Sequence, residues 1–245
     1  VYVIEVNPRA SRTVPFASKA TGVPLAKYAA RCMAGESLES LGFTREPRIP
    51  FTAFKEAVFQ FSKFPGVDVT LSPEMKSTGE VMGIDMDAAS AYLKSQDAAG
   101  NRLPRTGGVF ISIRDTDKQH ALSWLKVLAA QEFTFYATPG TGRLLYENGI
   151  PCHAVFKLSE GRPNLKDLVL ERKIQWIVNI PDVNDDGAKM RSYAIQFGLP
   201  ITTTTAALQM AAEGLASSSI DAGRVDICSL QEYQRIAQDR GQCGR

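Results

Sequence analysis

Phe133-Thr134-Phe135-Tyr136-Ala137-Thr138-Pro139-Gly140-Thr141-Gly142 decides the fold of the second half of the chain. It reads as an apolar, aromatic strand that runs through a Pro/Gly turn straight into a helix, at 133–137 and 141–148. Glycines there let the backbone come close to a ligand. The new helix N-terminus offers free N–H groups and the positive end of a dipole, and Thr138 and Thr141 add hydroxyls. A tight turn with a helix cap is the alternative reading of the same residues. No lysine follows the glycines directly, so the motif is not a Walker-type loop.

Outward from this stretch the pattern repeats. Strand-like runs occur at about 108–113, 153–158, 174–180 and 199–202, with a weaker one at 224–228. Helical patterns fill the gaps at 116–130, 163–172, 186–197, 204–215 and 229–239, with Asp115 expected to cap the first of them. Strand–helix units of this length predict an α/β fold, a Rossmann-like parallel sheet with helices on both faces. Ligands of such sheets bind beyond the carboxyl ends of the strands. The candidate residues at those exits are Ser112, Lys118 early in the next helix, Thr138, Thr141, Lys157 and Asn179. Their polar and basic character suits an anionic ligand. Solvated surface charge is the alternative for the two lysines.

The first half is mixed. A strand at 1–6 precedes a turn punctuated by Pro and Ser, a helix is expected at 24–35, strands joined by turns at 52–85, and a short helix at 87–96. Residues 97–108 are rich in linker residues and are taken as the boundary between domains at 1–100 and 107–240. The opening strand has no sequence neighbour before it, so the chain is expected to be a piece of something longer. Glu5 and Asn7 share one face of that strand, about 7 Å apart, and offer oxygen ligands to a hard cation. Arg9 and Arg12 follow with forks suited to phosphate or carboxylate. A capped strand end with surface arginines is the competing reading.

The chain of 245 residues carries 28 Lys and Arg against 26 Asp and Glu, a net charge of +2. That is too small to indicate a nucleic-acid or membrane partner. No apolar run approaches the roughly 20 residues of a membrane helix. Four scattered cysteines suggest reduced thiols and a cytoplasmic-type compartment.

The run Glu5-Val6-Asn7-Pro8-Arg9-Ala10-Ser11-Arg12-Thr13-Val14-Pro15-Phe16 resembles the signature of the ATP-grasp domains of carbamoyl-phosphate synthetase large chains. Ser18-Lys19-Ala20-Thr21-Gly22, Lys63-Phe64-Pro65-Gly66-Val67-Asp68 and Glu74-Met75-Lys76-Ser77-Thr78-Gly79-Glu80 extend it. The resemblance implies an ATP-dependent ligase that phosphorylates carbamate to carbamoyl phosphate for pyrimidine or arginine synthesis. It also implies an α+β tail of the ATP-grasp domain in residues 1–100. Within that resemblance Glu5 and Asn7 bind Mg2+ (or Mn2+) held by ATP, Arg9 and Arg12 lie beside the phosphates as catalytic groups, and Glu56 belongs to an ornithine-type activator site with Thr202. The piece alone is expected to be inactive.

Residues from about Gly108 to Tyr233 resemble the methylglyoxal-synthase-like domain that ends the same large chains. This implies an effector pocket at Ser112, Lys118, Thr138, Thr141, Lys157 and Asn179, taking UMP, IMP or N-acetylglutamate and needing no cofactor of its own. The implied partners are the rest of the large chain, a glutaminase small chain or domain and further copies in an oligomer. The implied location is the cytoplasm, or the mitochondrial matrix for a urea-cycle type. One departure stands out. Asn179 is followed by Ile180-Pro181-Asp182-Val183-Asn184, where nucleotide-regulated bacterial members carry a Thr-Thr-Ser-Gly-Arg type of loop. Two other readings remain open, a structural module with a vestigial pocket and an active methylglyoxal synthase. The second lacks its Pro-His-Asp and Gly-Gly-Asp stretches, although Asp182 is available as a base.

Overall fold

The sheet of the second half forms around β3 (Gly107–Ile113), whose side chains from Val109 to Ile111 are wholly buried. Each such apolar side chain contributes roughly 1.5–3 kcal/mol relative to exposure. β4 (Phe133–Ala137), β5 (His153–Ala154), β6 (Trp176–Ile180) and β7 (Ile201–Thr202) join it, all parallel, in the order β5-β4-β3-β6-β7. A computed structural model describes residues 6, 8–9, 11–59, 77–181, 187–217 and 227–242, leaving aside the side chains of 78 and 238–242.

Alternation along the strands divides the core in two. Val109, Ile111, Phe135, Trp176 and Val178 face one layer with Leu125, Leu128, Leu208 and Ala212. These come from α4 (Lys118–Ala129) and α8 (Thr205–Ala216). Phe110 and Ile177 face the other, against Leu165, Leu168, Met190 and Ala194 of α6 (Leu165–Leu170) and α7 (Gly187–Gln196). The parallel sheet with helices on both faces, expected from the alternation of elements, is therefore present. α5 (Pro139–Glu147) follows β4 directly through Thr138.

The chain leaves β3 to one side through α4 and returns to the other side through β6, so the strand order reverses between β3 and β6. Open α/β sheets bind ligands at such a switch point. Ser112 of β3 and Asn179 of β6 are register partners there.

The first half supplies a two-stranded antiparallel sheet of β1 (Thr52–Phe59) and β2 (Ser77–Asp85), with α1 (Thr13–Thr21), α2 (Leu25–Met33) and α3 (Ala88–Ala98). α3 is capped by Asp87, whose carboxylate accepts the Ser90 N–H at 2.7 Å. It packs against the hairpin on one side and against α8 on the other. The approach is close at two glycines. A Cβ on Gly83 would lie 2.1 Å from the Ala91 carbonyl oxygen, and one on Gly214 would lie 2.7 Å from Leu93. α9 (Leu230–Gln242) returns to the same region. Its Tyr233 is buried edge-on to Phe51 at 5.4 Å, and Gln234 donates to the Lys19 carbonyl at 2.9 Å.

Several sequence expectations are corrected. Residues 13–21 form α1 rather than a punctuated turn. Pro15 is the third helical residue, where its missing N–H removes no intrahelical bond, so it does not break the helix. The strand expected at 153–158 is only His153–Ala154, followed by a single bridge between Phe156 and Asn164. Asp115 does not cap α4. A short 3-10 turn over Asp115–Asp117 comes first, and Asp115 pairs with Lys118 instead. The weak strand at 224–228 is not formed at Ile227 or Cys228, and its other residues lie outside the described ones.

Gly83→Ala is expected to destabilise the chain by about 1–3 kcal/mol, because its Cβ meets backbone of α3 that cannot step aside. Gly79→Ala, on the same strand with nothing within 4 Å, is expected to change little. Denaturant midpoints of the two variants check this.

Candidate functional site

The exits of β4, β3 and β6 bring together Thr138, Thr141, Ser112 and Asn179, all less than a tenth exposed. Thr138 is the N-cap of α5 in extended backbone, with Pro139 in the first helical position, where its fixed φ suits the helix. Its hydroxyl, with one proton to give, lies 3.4 Å from Ser112 Oγ and 3.5 Å from Thr141 Oγ1. Both are long for O–H···O bonds, so these hydroxyls hold each other weakly and are open to a better acceptor. Thr141 is more firmly engaged: its Oγ1 accepts the Ile113 N–H at 3.1 Å. That bond ties α5 to the end of β3 and gives Thr141 a structural duty beside any ligand contact.

Lys118 reaches this turn from the first position of α4. Its Nζ would lie 2.9 Å from a Cβ on Gly140, so the glycine is what admits the ammonium to the α5 N-terminus. The lysine side chain is 16% exposed and is paired with Asp115, which is 93% exposed. The Lys118 ammonium, with a further contribution from Lys157, holds the Asp115 carboxyl below its usual range. Asp115 thus occupies, from the solvent side, the direction from which an anion would meet Lys118. The three-residue spacing of Asp115 and Lys118 is the sequence signal for this pair.

Lys157 does not end a strand. It lies exposed beyond β5 and pairs with Glu160 at 3.5 Å, although its charge is felt at Asp115. Asn179 is the most unusual member. It is fully buried, and neither Oδ1 nor Nδ2 has a hydrogen-bond partner. Leaving such a group unsatisfied costs about 1–3 kcal/mol, so a native orphan asks for a reason. Both atoms lie at the switch point between β3 and β6. Residues 182–186, including Asp182, lie outside the described ones.

The hairpin of the first half presents a second cavity of about 370 Å³, lined by Arg9, Ser11, Arg12, Lys55, Ala57, Ser77 and Glu80. Strand alternation puts Lys55 and Ala57 on this face of β1, with Glu80 opposite Ala57 on β2. Lys55 Nζ donates to Thr13 Oγ1 at 2.9 Å, which fixes it to the start of α1. Three cations against one carboxylate fit the phosphates of a nucleotide. Glu5 and Asn7, the expected metal ligands, lie outside the described residues. Among the described residues no cluster of three or more His, Cys, Asp or Glu side chains is placed to hold a metal.

Glu56 faces the opposite way, towards α3, where Gln96 Nε2 donates to its Oε2 at 3.1 Å. Burial raises the Glu56 carboxyl above its usual range, against the pull of Gln96. Burial, reinforced by Glu56, pushes the Tyr92 phenol up to about 12. Thr202, its expected companion, is buried at the end of β7 and accepts the Trp176 indole N–H at 3.1 Å. The hydrogen bonds of Glu56 and Thr202 therefore go to separate places, α3 and β6.

Residues 120–203 match the family described as MGS-like domain, and residues 1–41 match the carbamoyl-phosphate synthase L chain, ATP binding domain. The large chain of carbamoyl phosphate synthase from a Nostoc species is 47% identical over 236 residues, covering 95% of this chain and 21% of the relative. That of Mesorhizobium japonicum is 47% identical over 241 residues, covering 95% and 20%. That of Myxococcus xanthus is 45% identical over 239 residues, covering 96% and 22%. The chain thus spans about one fifth of the length of these relatives.

Glu56→Gln is expected to stabilise the chain at neutral pH and to flatten its pH profile. With its pKa raised in the folded state, Glu56 binds more protons folded than unfolded, so stability is fullest below the unfolded value and falls as pH rises through the folded one. Thermal midpoints of both chains from pH 4 to pH 8 check the sign.

Proposed function

We propose, from the premise that this chain is homologous along almost its whole length to one fifth of a carbamoyl phosphate synthase large chain, that it carries the effector-sensing part of such an enzyme. An anionic effector binds where β4, β3 and β6 end, and its occupancy shifts the work of the ATP-grasp part through α3. The observation that carries this reading is Asn179, buried and unpartnered at the switch point beside Ser112, with the Thr138 turn and the Lys118 ammonium one strand away. The anionic head group of the effector sits over the α5 N-terminus between Thr138 and Lys118. Asn179 offers a donor and an acceptor to its other end. UMP, IMP and N-acetylglutamate all have this form.

In the intact enzyme the function is ATP-dependent phosphorylation of carbamate, together with a glutaminase partner. Residues 1–100 are the tail of the ATP-grasp domain and 107–240 the effector domain. Arg9, Arg12 and Lys55 would neutralise the phosphates, a service of charge and position rather than covalent chemistry. The Mg2+ of the nucleotide would be held by Glu5 and Asn7. Held there, the ion would supply positive charge to offset that of the transferring phosphoryl group.

Coupling between the two parts is favoured by the way α3 is packed. Its backbone touches β2 at Gly83 and its Leu93 touches α8 at Gly214, so neither contact leaves room for slack. A shift of α8 on effector binding would move α3 and with it β1, which holds Lys55.

Calorimetric titration of the chain with UMP, IMP and N-acetylglutamate tests the sensor. Saturable binding of one of them, weakened about tenfold or more by Thr138→Val with an unchanged melting temperature, is the expected outcome. Thr138 is preferred over Thr141 because removing Thr141 Oγ1 would orphan the buried Ile113 N–H. Binding of none of the three by a folded chain refutes the sensor in favour of a structural module with a vestigial pocket. In the full-length enzyme, Glu5→Gln is expected to lower carbamate phosphorylation by two or more orders of magnitude, and retained activity would remove the metal role.

A further inference from the structure

Tyr233 and Gln234 follow the sheet of the second half in sequence, yet both make contacts with the first half. Gln234 Nε2 donates to the Lys19 carbonyl at 2.9 Å. That carbonyl belongs to the last turn of α1, where helix carbonyls have no intrahelical donor. α1 stops at Gly22 in the left-handed conformation (φ +73°), and the Gln234 side chain packs over it, 3.5 Å from where a Cβ would stand. One residue earlier, Tyr233 is buried edge-on to Phe51, which directly precedes β1, and its phenol oxygen accepts from Lys94 Nζ at 3.5 Å. Lys94 is anchored in turn to Asp85, the register partner of Thr52. The first turn of α9 is held by a reciprocal cap. The Ser229 N–H donates to the Glu232 carboxylate at 2.6 Å, and the Glu232 N–H to Ser229 Oγ at 3.2 Å.

α9 therefore joins the end of α1 to the start of β1. The same two elements meet again at the cavity of the first half, where Lys55 of β1 donates to Thr13, the first residue of α1. Thr13 lies roughly 9 Å along α1 from Lys19, and Lys55 about 13 Å along β1 from Phe51. A helix touching a strand at one point can pivot on it, and a second point removes that freedom. Arg12 and Lys55, on either side of the Thr13 contact, both line the cavity.

We propose that α9 is a clamp that sets α1 against β1, making Gln234 and Thr13 positioning residues for the Lys55 ammonium in the phosphate cavity. Gln234 acts at one end of α1 and Thr13 at the other, and neither is asked to exchange a proton. This rests on the reading that the cavity takes the phosphates of ATP.

The test is steady-state carbamate phosphorylation by the full-length enzyme with ATP varied. It compares the unaltered chain with Lys55→Met, Thr13→Val, Thr13→Ser, Gln234→Met and the double variant Lys55→Met/Gln234→Met. Lys55→Met is expected to raise KM for ATP by about tenfold or more. Thr13→Val and Gln234→Met, each losing one hydrogen bond that holds the lysine in place, are expected to raise it about three- to tenfold. Thr13→Ser, which keeps the hydroxyl, restores it to within about twofold. A merely structural role for Gln234 would lower the active fraction, and so kcat, with KM unchanged. On the Lys55→Met background Gln234→Met is expected to add less than about twofold, because the group it positions is gone. Gln231→Met, on the exposed side of the same helix, is expected to change neither constant. Should Gln234→Met not fold, Gln234→Ser, too short to reach the carbonyl, carries the same test. An unchanged KM in the Gln234 variant, a loss in kcat alone, or a full further loss on the Lys55→Met background overturns the clamp and leaves the cavity reading standing. If Lys55→Met itself leaves KM and kcat unchanged, the cavity reading and the clamp fall together.

Discussion

The parallel pairing of β3 with β6 is the constraint on which the rest depends. It sets Ser112 beside Asn179 and places the reversal of strand order between them. Because the connections leave β3 to opposite sides, α4 and α7 pack on opposite faces of the sheet. Ser112, Thr138, Thr141 and Asn179 gather at the strand ends there. The Thr138 turn closes one side, Lys118 enters from α4 over Gly140, and α7 begins at Gly187 on the other side. The core beneath is apolar, and Asn179 Oδ1 and Nδ2 stand buried without a hydrogen-bond partner.

Glycines matter at this site as absences. Gly140 admits an ammonium, and Gly187 lets Asn179 Oδ1 and Arg191 Nη1 pack within 3.1 and 3.2 Å of where its Cβ would stand. Gly83 and Gly214 do the same for backbone, allowing α3 to lie hard against both β2 and α8. The second pair leaves no slack where α3 meets β2 and α8. Coupling between two sites travels through contacts of this kind, which cannot absorb movement. Lys94 joins the same junction. Burial opposes its charge, but Asp85 at 2.6 Å and Tyr233 outweigh that and raise its pKa, which ties α3 to β2 and α9.

The sequence by itself determined the architecture of the second half. Period-two apolar runs alternating with helical ones leave few arrangements other than a parallel sheet covered on both faces, and the Thr138–Gly142 turn announces a strand end that opens a helix. Ser112, Thr138 and Asn179 were legible because a strand exit is a position in the sequence. What only the tertiary structure decided is which exits meet and how each group is engaged. Thr141 is held by the Ile113 amide and Thr202 by Trp176, and neither bond is encoded locally. Pro15 was misread because a proline breaks a helix or sits harmlessly in its first turn according to where the chain starts to coil. Nor does spacing place Arg191 near Asn179: that proximity depends on α7 lying over β6, which comes from Met190 and Ala194 burying against a sheet assembled from segments far away in the chain.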